Sequence, residues 1–215
     1  MRLYDFARSS AAYRVRIALN LKKVAVEALS VHLRRNGGEQ HSLSYGQVNP
    51  QNLVPTLDVN GAVLTQSIAI IEYLDEEHPN PPLLPGTALD RARIRAMVQL
   101  IAADIHPIQN LRVLQYLQTD YAQPEASTTA WARHWIEKGF MALEALVQRA
   151  PVQGRYCYGD AVTFADVLLV PQMNNARRFG CDMALFPHLV TIDQRLRALP
   201  EFEQAAPEKQ PDFEA

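Results

Sequence analysis

The apolar positions at the start of the chain change period at short intervals, and each change marks an element. Residues 1–6, MRLYDF, alternate before a turn at Arg8 to Ser10, which predicts a short first strand. From Ser10 to about Leu21 the period lengthens, with Tyr13, Ile17 and Leu21 recurring every four residues and Ala18 beside them, the mark of one buried helical face. The Val- and Leu-rich run from Val24 to Leu33 predicts a second strand, broken at Gly37 and Gly38 before a weaker helical pattern over 39–48. The segments PTLDV and AVLT flank Asn60 and Gly61, a pair suited to the positive φ angles of a tight hairpin turn, and Ser67 is placed as the N-cap of the helix that follows.

The order strand, helix, strand, then hairpin and helix gives a compact mixed sheet with a parallel half and a hairpin half, a thioredoxin-like arrangement. Residues 78–87, HPNPPLLPGT, then place four prolines and a glycine in a short span, which suits an extended linker. Beyond it the period is helical. Ile94, Met97, Val98, Ile101, Ile105, Ile108, Leu111 and Leu114 form one stripe over 91–117, which Pro107 is expected to kink. Residues 130–150 predict an amphipathic helix carrying Trp131, Trp135, Phe140, Leu143 and Leu146. Thr163 and Asp166 have capping-box spacing and open the apolar VLLVPQM, so a buried central helix is expected there, with Gly180 as its stop. A last helix over 189–199 and a polar tail, QAAPEKQPDFEA, complete the chain. The expected fold is α/β plus all-α, with a thioredoxin-like domain over 1–83 and a helical-bundle domain over 89–215.

Composition narrows the function. With 215 residues, 48% hydrophobic and 20% charged, the chain can bury a sizeable core as one large domain or two small ones. A net charge of -2 provides no basic field for a phosphate backbone, so nucleic acid is not an expected partner. No apolar run approaches the length of a spanning helix, and the N-terminus enters a strand pattern directly, without a signal-peptide core. Two cysteines, Cys157 and Cys181, support neither a disulfide framework nor a zinc cluster; core positions in a reducing cytoplasm are expected, and no metal.

The segment Ser9-Ser10-Ala11-Ala12-Tyr13-Arg14-Val15-Arg16-Ile17-Ala18-Leu19 resembles the fingerprint of zeta-class glutathione transferases: Ser-Ser-Cys, two variable residues, then Arg-Val-Arg-Ile-Ala-Leu. NPQNLVPTL, QSIAIIEYLDE, HPIQNLRVL, YCYGDAVTFADVLLVPQ, NARRF and the closing QPD look like the same class, so the resemblance covers essentially the whole chain. It implies a glutathione transferase fold, glutathione as cofactor and a homodimer. The one departure inside the fingerprint is Ala11, where the family has cysteine. Bound glutathione must then supply the nucleophilic sulfur.

Ser9 and Ser10 sit where a strand gives way to a helix, so a hydroxyl and unpaired backbone N–H groups can face a thiol. The bland alternative is a helix cap; with the fingerprint, Ser9 is the expected activating hydroxyl and Ser10 a second contact, and Tyr4 is the rival activator. The resemblance also implies a cis bond between Val54 and Pro55, which presents the Val54 backbone to the cysteinyl part of glutathione. Gln66 and Ser67 look like the γ-glutamyl clamp, and Gln40 like the residue that holds the glycyl end. His106 and Asn110, four apart on one helix face, and Arg112 line the cleft facing the sheet domain by the same similarity; a histidine satisfied beside a proline kink is the competing reading. Arg8 and Arg178 are the expected carboxylate clamps, whereas Arg177, about 100° further round the helix, is expected to be a solvated charge.

By resemblance to maleylacetoacetate and maleylpyruvate isomerases, the expected activity is glutathione-dependent cis–trans isomerisation of a maleyl keto-acid, a small dicarboxylate, in aromatic catabolism. The sequence does not separate those two substrates. Glutathione conjugation or dehalogenation of small α-halo acids is the enzymatic alternative, and noncatalytic ligand binding is the other.

Overall fold

A computed structural model describes residues 1–214, which fall into two compact units: 1–82 together with 198–214, and 83–197. In the first, β1 (Arg2–Asp5), α1 (Ser10–Lys22), β2 (Glu27–Ser30), α2 (Leu43–Val48), β3 (Thr56–Val59), β4 (Ala62–Thr65) and α3 (Ser67–Glu77) build the expected thioredoxin-like sheet, in the order β2-β1-β3-β4. β1 pairs parallel with β2 and antiparallel with β3, and β3 and β4 form the hairpin. Asn60 and Gly61, at φ 53° and 95°, make its two-residue turn. Directly opposed Leu3 and Leu57 are 1% and 0% exposed. On the other face of β1, Tyr4 packs against a cluster of Phe6, Val31, Tyr45 and Val54.

Three expectations are corrected here. β2 covers only four residues of the 24–33 run, because it is the sheet edge and three of those four are exposed. Helix α1 is not a one-faced helix: Ala12 through Leu19 are all buried, including Arg14 and Arg16. Ser67 is the first helical residue of α3, and the N-cap is Gln66.

The second unit carries the helices α4 (Ala88–Gln99), α5 (Leu111–Thr119), α6 (Glu125–Gln148), α7 (Phe164–Arg178) and α8 (Pro187–Arg197). The stripe over 91–117 is not one kinked helix. A π-helical segment, Leu100–Ile105, follows α4 and closes with the His106 amide donating to Ile101 O over 2.9 Å; a turn then leads to α5. Pro107 has no N–H to continue the ladder, and the wider π turn releases the chain before it. Gly139 of α6 lets this segment approach, since a Cβ there would stand 2.3 Å from Ile105 Cγ1. In α6 the buried stripe is Thr128, Ala132, Ile136, Phe140, Leu143 and Val147, while Leu146 is exposed. α7 begins with the expected capping box and Gly180 adopts φ 69° after its end. Both cysteines are free and buried.

The expected boundary near residue 89 with a helical domain running to 215 also changes. The helix α9 (Pro200–Ala205) packs on α1, and part of the polar tail is buried: Ala205, Ala206 and Pro207. Tyr13 Oη donates to Phe202 O, Asn20 Nδ2 to Glu201 O and Arg16 Nε to Ala205 O.

Candidate active site

The turn between β1 and α1 is fixed from several sides. The Phe6 amide donates to Asp5 Oδ1 at 2.7 Å, and the Ser9 amide to Phe6 O at 2.9 Å. Beneath it, buried Arg16 pairs with Asp5 Oδ1 at 2.7 Å and donates to Ala7 O at 3.0 Å. Burial pushes the Asp5 carboxyl upward, against the opposing pull of Arg16. Asp212 accepts from the Ala7 amide at 3.3 Å and from Ser30 Oγ at 2.7 Å, so the C-terminal segment braces the same turn.

Ser9 is the N-cap of α1, with its Oγ accepting from the Ala12 amide at 3.2 Å. A hydroxyl has one hydrogen, and an N–H donor occupies the oxygen; the Ser9 proton is therefore left to donate elsewhere. Capping and thiol activation are compatible. Ser10 opens the helix beside it. Arg8 is exposed, donates through Nη2 to Glu214 O at 2.5 Å and lies 5.2 Å over the Phe213 ring; among the described residues it makes no ion pair. Tyr4, the rival activator, stands 5.6 Å from the Tyr45 ring on the sheet face that also carries Val54.

The Val54–Pro55 bond is cis. Just before it, Leu53 O accepts from Tyr45 Oη and Asn49 Nδ2, each at 2.7 Å, which fixes the approach to Val54. Gln66 holds φ 69° and ψ 118°, a backbone state that a non-glycine residue keeps only when its surroundings impose it. Its side chain donates to Gln51 Oε1 at 2.8 Å. Ser67 is buried and its Oγ accepts from Arg14 Nη1 at 3.3 Å, at the N-terminus of α3, where backbone N–H groups have no helical partner. Gln40 lies in a short 3₁₀ turn, Glu39–His41; its Nε2 donates to Leu33 O at 3.4 Å, and its buried Oε1 has no hydrogen-bond partner.

In the second unit His106 and Asn110 do meet, at 3.3 Å from Nε2 to Nδ2, although a turn rather than one helix face brings them together. Asn110 also caps α5, accepting from the Arg112 amide at 3.2 Å, and the Arg112 side chain is exposed. Gln109, absent from the sequence reading, lies 3.5 Å from His106 Nδ1 with its Oε1 buried and unpartnered. Turning that carboxamide over gives Nδ1–H an acceptor and leaves Nε2 to accept from Asn110. Arg178 is exposed at the end of α7, its guanidinium 4.7 Å over the Phe179 ring. Arg177 is not a solvated charge: it pairs with Asp193, which is fully buried and also held by Arg197.

Arg14, Arg16, Gln51, Gln109 and Asp212 escaped the sequence reading. For Arg14 a signal existed, since it shares a three-and-four spacing with Ile17 and Ala18 on a face that must be buried.

The hydroxyl and open helix end at Ser67 and the donor-ready Ser9 suit a peptide carrying a carboxylate and a thiol, and the buried Oε1 of Gln40, unpartnered among the described residues, offers an acceptor to a peptide N–H. Comparison with known proteins agrees. Residues 3–82 match the family model for the glutathione S-transferase N-terminal domain. A probable maleylacetoacetate isomerase of Vibrio cholerae serotype O1 is 51% identical over 210 residues, covering 98% of this chain and 97% of that one. Among solved structures, the holo form of a maleyl pyruvate isomerase, a bacterial zeta-class glutathione S-transferase, is 46% identical with a TM-score of 0.96 over 100% of both chains. A maleylacetoacetate isomerase from Methylobacterium extorquens AM1, with bound malonate and glutathione, is 38% identical with a TM-score of 0.95, again over 100% of both chains.

Proposed function

Since the chain belongs to the zeta-class glutathione transferase family of maleylacetoacetate and maleylpyruvate isomerases, we propose that it catalyses the glutathione-dependent cis–trans isomerisation of a maleyl keto-acid. The observation that carries the reading is Ser9, capping α1 through its oxygen and keeping its proton for an acceptor.

Glutathione, when bound, would supply a sulfur nucleophile for reversible covalent catalysis at the double bond, and would not be consumed. The residues of this chain hold and tune it. Ser9 donates to the sulfur and, with Ser10 and the N-terminus of α1, favours its deprotonated form. The Val54 backbone takes the cysteinyl part as an added strand would, Gln66 and Ser67 take the γ-glutamyl carboxylate, and Gln40 the glycyl end. Arg8 and Arg178 clamp the substrate carboxylates, where planar guanidinium forks match two oxygens each and stabilise charge that grows during reaction. The bound malonate of the Methylobacterium relative, itself a dicarboxylate, supports a dianionic substrate. His106, Asn110 and Arg112 form a second polar cluster for the ligand. A homodimer and a cytoplasmic location complete the reading; no described helix is long and apolar enough to cross a membrane.

The test mixes protein, catalytic glutathione and maleylpyruvate and follows the ultraviolet change to the fumaryl isomer. Turnover is expected with glutathione undiminished; glutathione consumed in step with substrate would instead indicate conjugation. Arg178→Ala should lower turnover far more than glutathione affinity, and equal activity in that variant would remove its role.

A further inference from the structure

Helix α1 buries two arginines, and the structure treats them differently. Arg16 is satisfied by the Asp5 carboxylate and by the carbonyls of Phe6, Ala7 and Ala205. Arg14, 2% exposed, makes one side-chain hydrogen bond among the described residues, the 3.3 Å donation from Nη1 to Ser67 Oγ. Its Nε and Nη2 are buried with no hydrogen-bond partner, and among the described residues no carboxylate pairs with it. Burial alone pulls its guanidinium down to about 10, with no opposing anion to raise it. It remains charged at neutral pH.

An unpaired buried cation destabilises a fold unless something brings the counter-charge. The structure shows where that charge would arrive. Ser67 starts α3, whose first backbone N–H groups are open to an anion, and the strained Gln66 sets the entry to that helix. Arg N–H groups only donate, so Ser67 Oγ must accept from Arg14, and the single hydroxyl hydrogen is turned away from the cation toward an acceptor. A ligand amide or hydroxyl offers that hydrogen a partner; only an anion also answers the charge behind it.

We propose that Arg14 is a positioning residue for glutathione binding: it fixes the Ser67 hydroxyl as a donor and holds an unneutralised positive charge that the α-carboxylate of the γ-glutamyl residue completes. The proposal deepens the glutathione reading and rests on it. It places the affinity for that carboxylate in a residue on α1 as well as in the α3 helix start, and it makes Arg14 a determinant of selectivity for the charged ligand.

The experiment is calorimetric binding of two ligands, glutathione and its analogue lacking that carboxylate, 4-aminobutanoyl-cysteinyl-glycine. Wild-type protein, Arg14→Met, Ser67→Ala and the double variant are compared. Arg14→Met, which keeps an apolar stem, should weaken glutathione by roughly 30-fold or more, as expected for loss of a buried charged partner, and leave the analogue within about threefold. Equal losses for both ligands would mean a purely structural role and overturn the proposal, as would unchanged glutathione affinity. Should Arg14→Met fail to fold, Ser67→Ala decides alone: with Arg14 still in place it must retain part of the wild-type preference for glutathione over the analogue, and a preference abolished there refutes the charge contribution. Wild-type protein that bound neither ligand would defeat the glutathione reading itself, an outcome distinct from equal losses in a variant.

Discussion

Replacing Ser9 by alanine tests the site at its chemical centre. A hydrogen bond to a charged acceptor contributes about 1.5–3 kcal/mol, and one pKa unit is about 1.36 kcal/mol, so the hydroxyl accounts for a lowering of about 1 to 2 units. For a thiol starting near 8.5, that raises the ionised fraction at pH 7 from about 3% to between about 25 and 75%. Rate responds less than ionisation does. A less basic thiolate is a poorer nucleophile, with a Brønsted slope of about 0.4–0.5, and the two effects leave a net loss of only about threefold at neutral pH in Ser9→Ala. The loss should disappear as the pH passes the thiol's own pKa. The deciding measurement is therefore the ultraviolet titration of the bound thiol, which should rise by about 1 to 2 units in Ser9→Ala and stay put in Ser9→Thr. Because Ser9 Oγ also accepts from the Ala12 amide, alanine should cost about 0.5–2 kcal/mol of stability as well, and this is read separately by denaturant unfolding. An unshifted thiol in Ser9→Ala with a raised one in Tyr4→Phe would transfer the role to Tyr4 and refute the argument.

The capping box of α7 should be the most damaging one to break: Asp166 accepts from the Thr163 amide and hydroxyl, both at 2.7 Å, and from the Cys157 amide at 2.9 Å, all buried. Asp166→Ala strands three donors and should lower unfolding free energy in urea by at least about 3 kcal/mol. Gly139→Ala should cost about 1–3 kcal/mol through overpacking, since its Cβ would meet Ile105 Cγ1, and chemical shifts around His106 should move with it. Asp90 is held down to about 2, first by the Thr87 hydroxyl and then by that of Tyr158. Its folded value lies below its unfolded one, so its contribution is complete above about pH 4 and is lost as pH falls toward 2; Asp90→Asn should flatten the melting temperature across that window.

What could be read from sequence was local chemistry. Asn60–Gly61 names its turn because few residues tolerate two successive positive φ angles, and Thr163-x-x-Asp166 names a helix start because both side chains reach the backbone beside them. The likeness of 9–19 to a known fingerprint pointed to Ser9. Periodicity gave only part of the answer where a helix has little water-facing side: the stripe of Tyr13, Ile17 and Leu21 predicts one buried face, whereas Ala12 through Leu19 are all buried, arginines included. Ser67 reads as a cap from sequence because a serine suits either position, and only the backbone angles of Gln66 separate the two. The tail reads only as polar from sequence, because its partners Arg35 and Ser30, which hold Glu214 and Asp212 by an ion pair and a hydrogen bond, are far away in the chain.

Ser9 and Ser67 share one design that neither reading alone would reveal. Each hydroxyl oxygen is occupied by an N–H donor fixed on α1, the Ala12 amide in one case and the Arg14 guanidinium in the other. Each is thereby left with a single hydrogen that must find an acceptor, and each sits at a helix start where partial positive charge favours an anion. The consequence is selectivity by protonation state: a neutral thiol or a protonated carboxyl gains one hydrogen bond at these positions, whereas the thiolate and carboxylate gain a charge-assisted bond and the helix-end field together. The two sites therefore call for one short peptide that carries two anionic groups, a thiolate and a carboxylate.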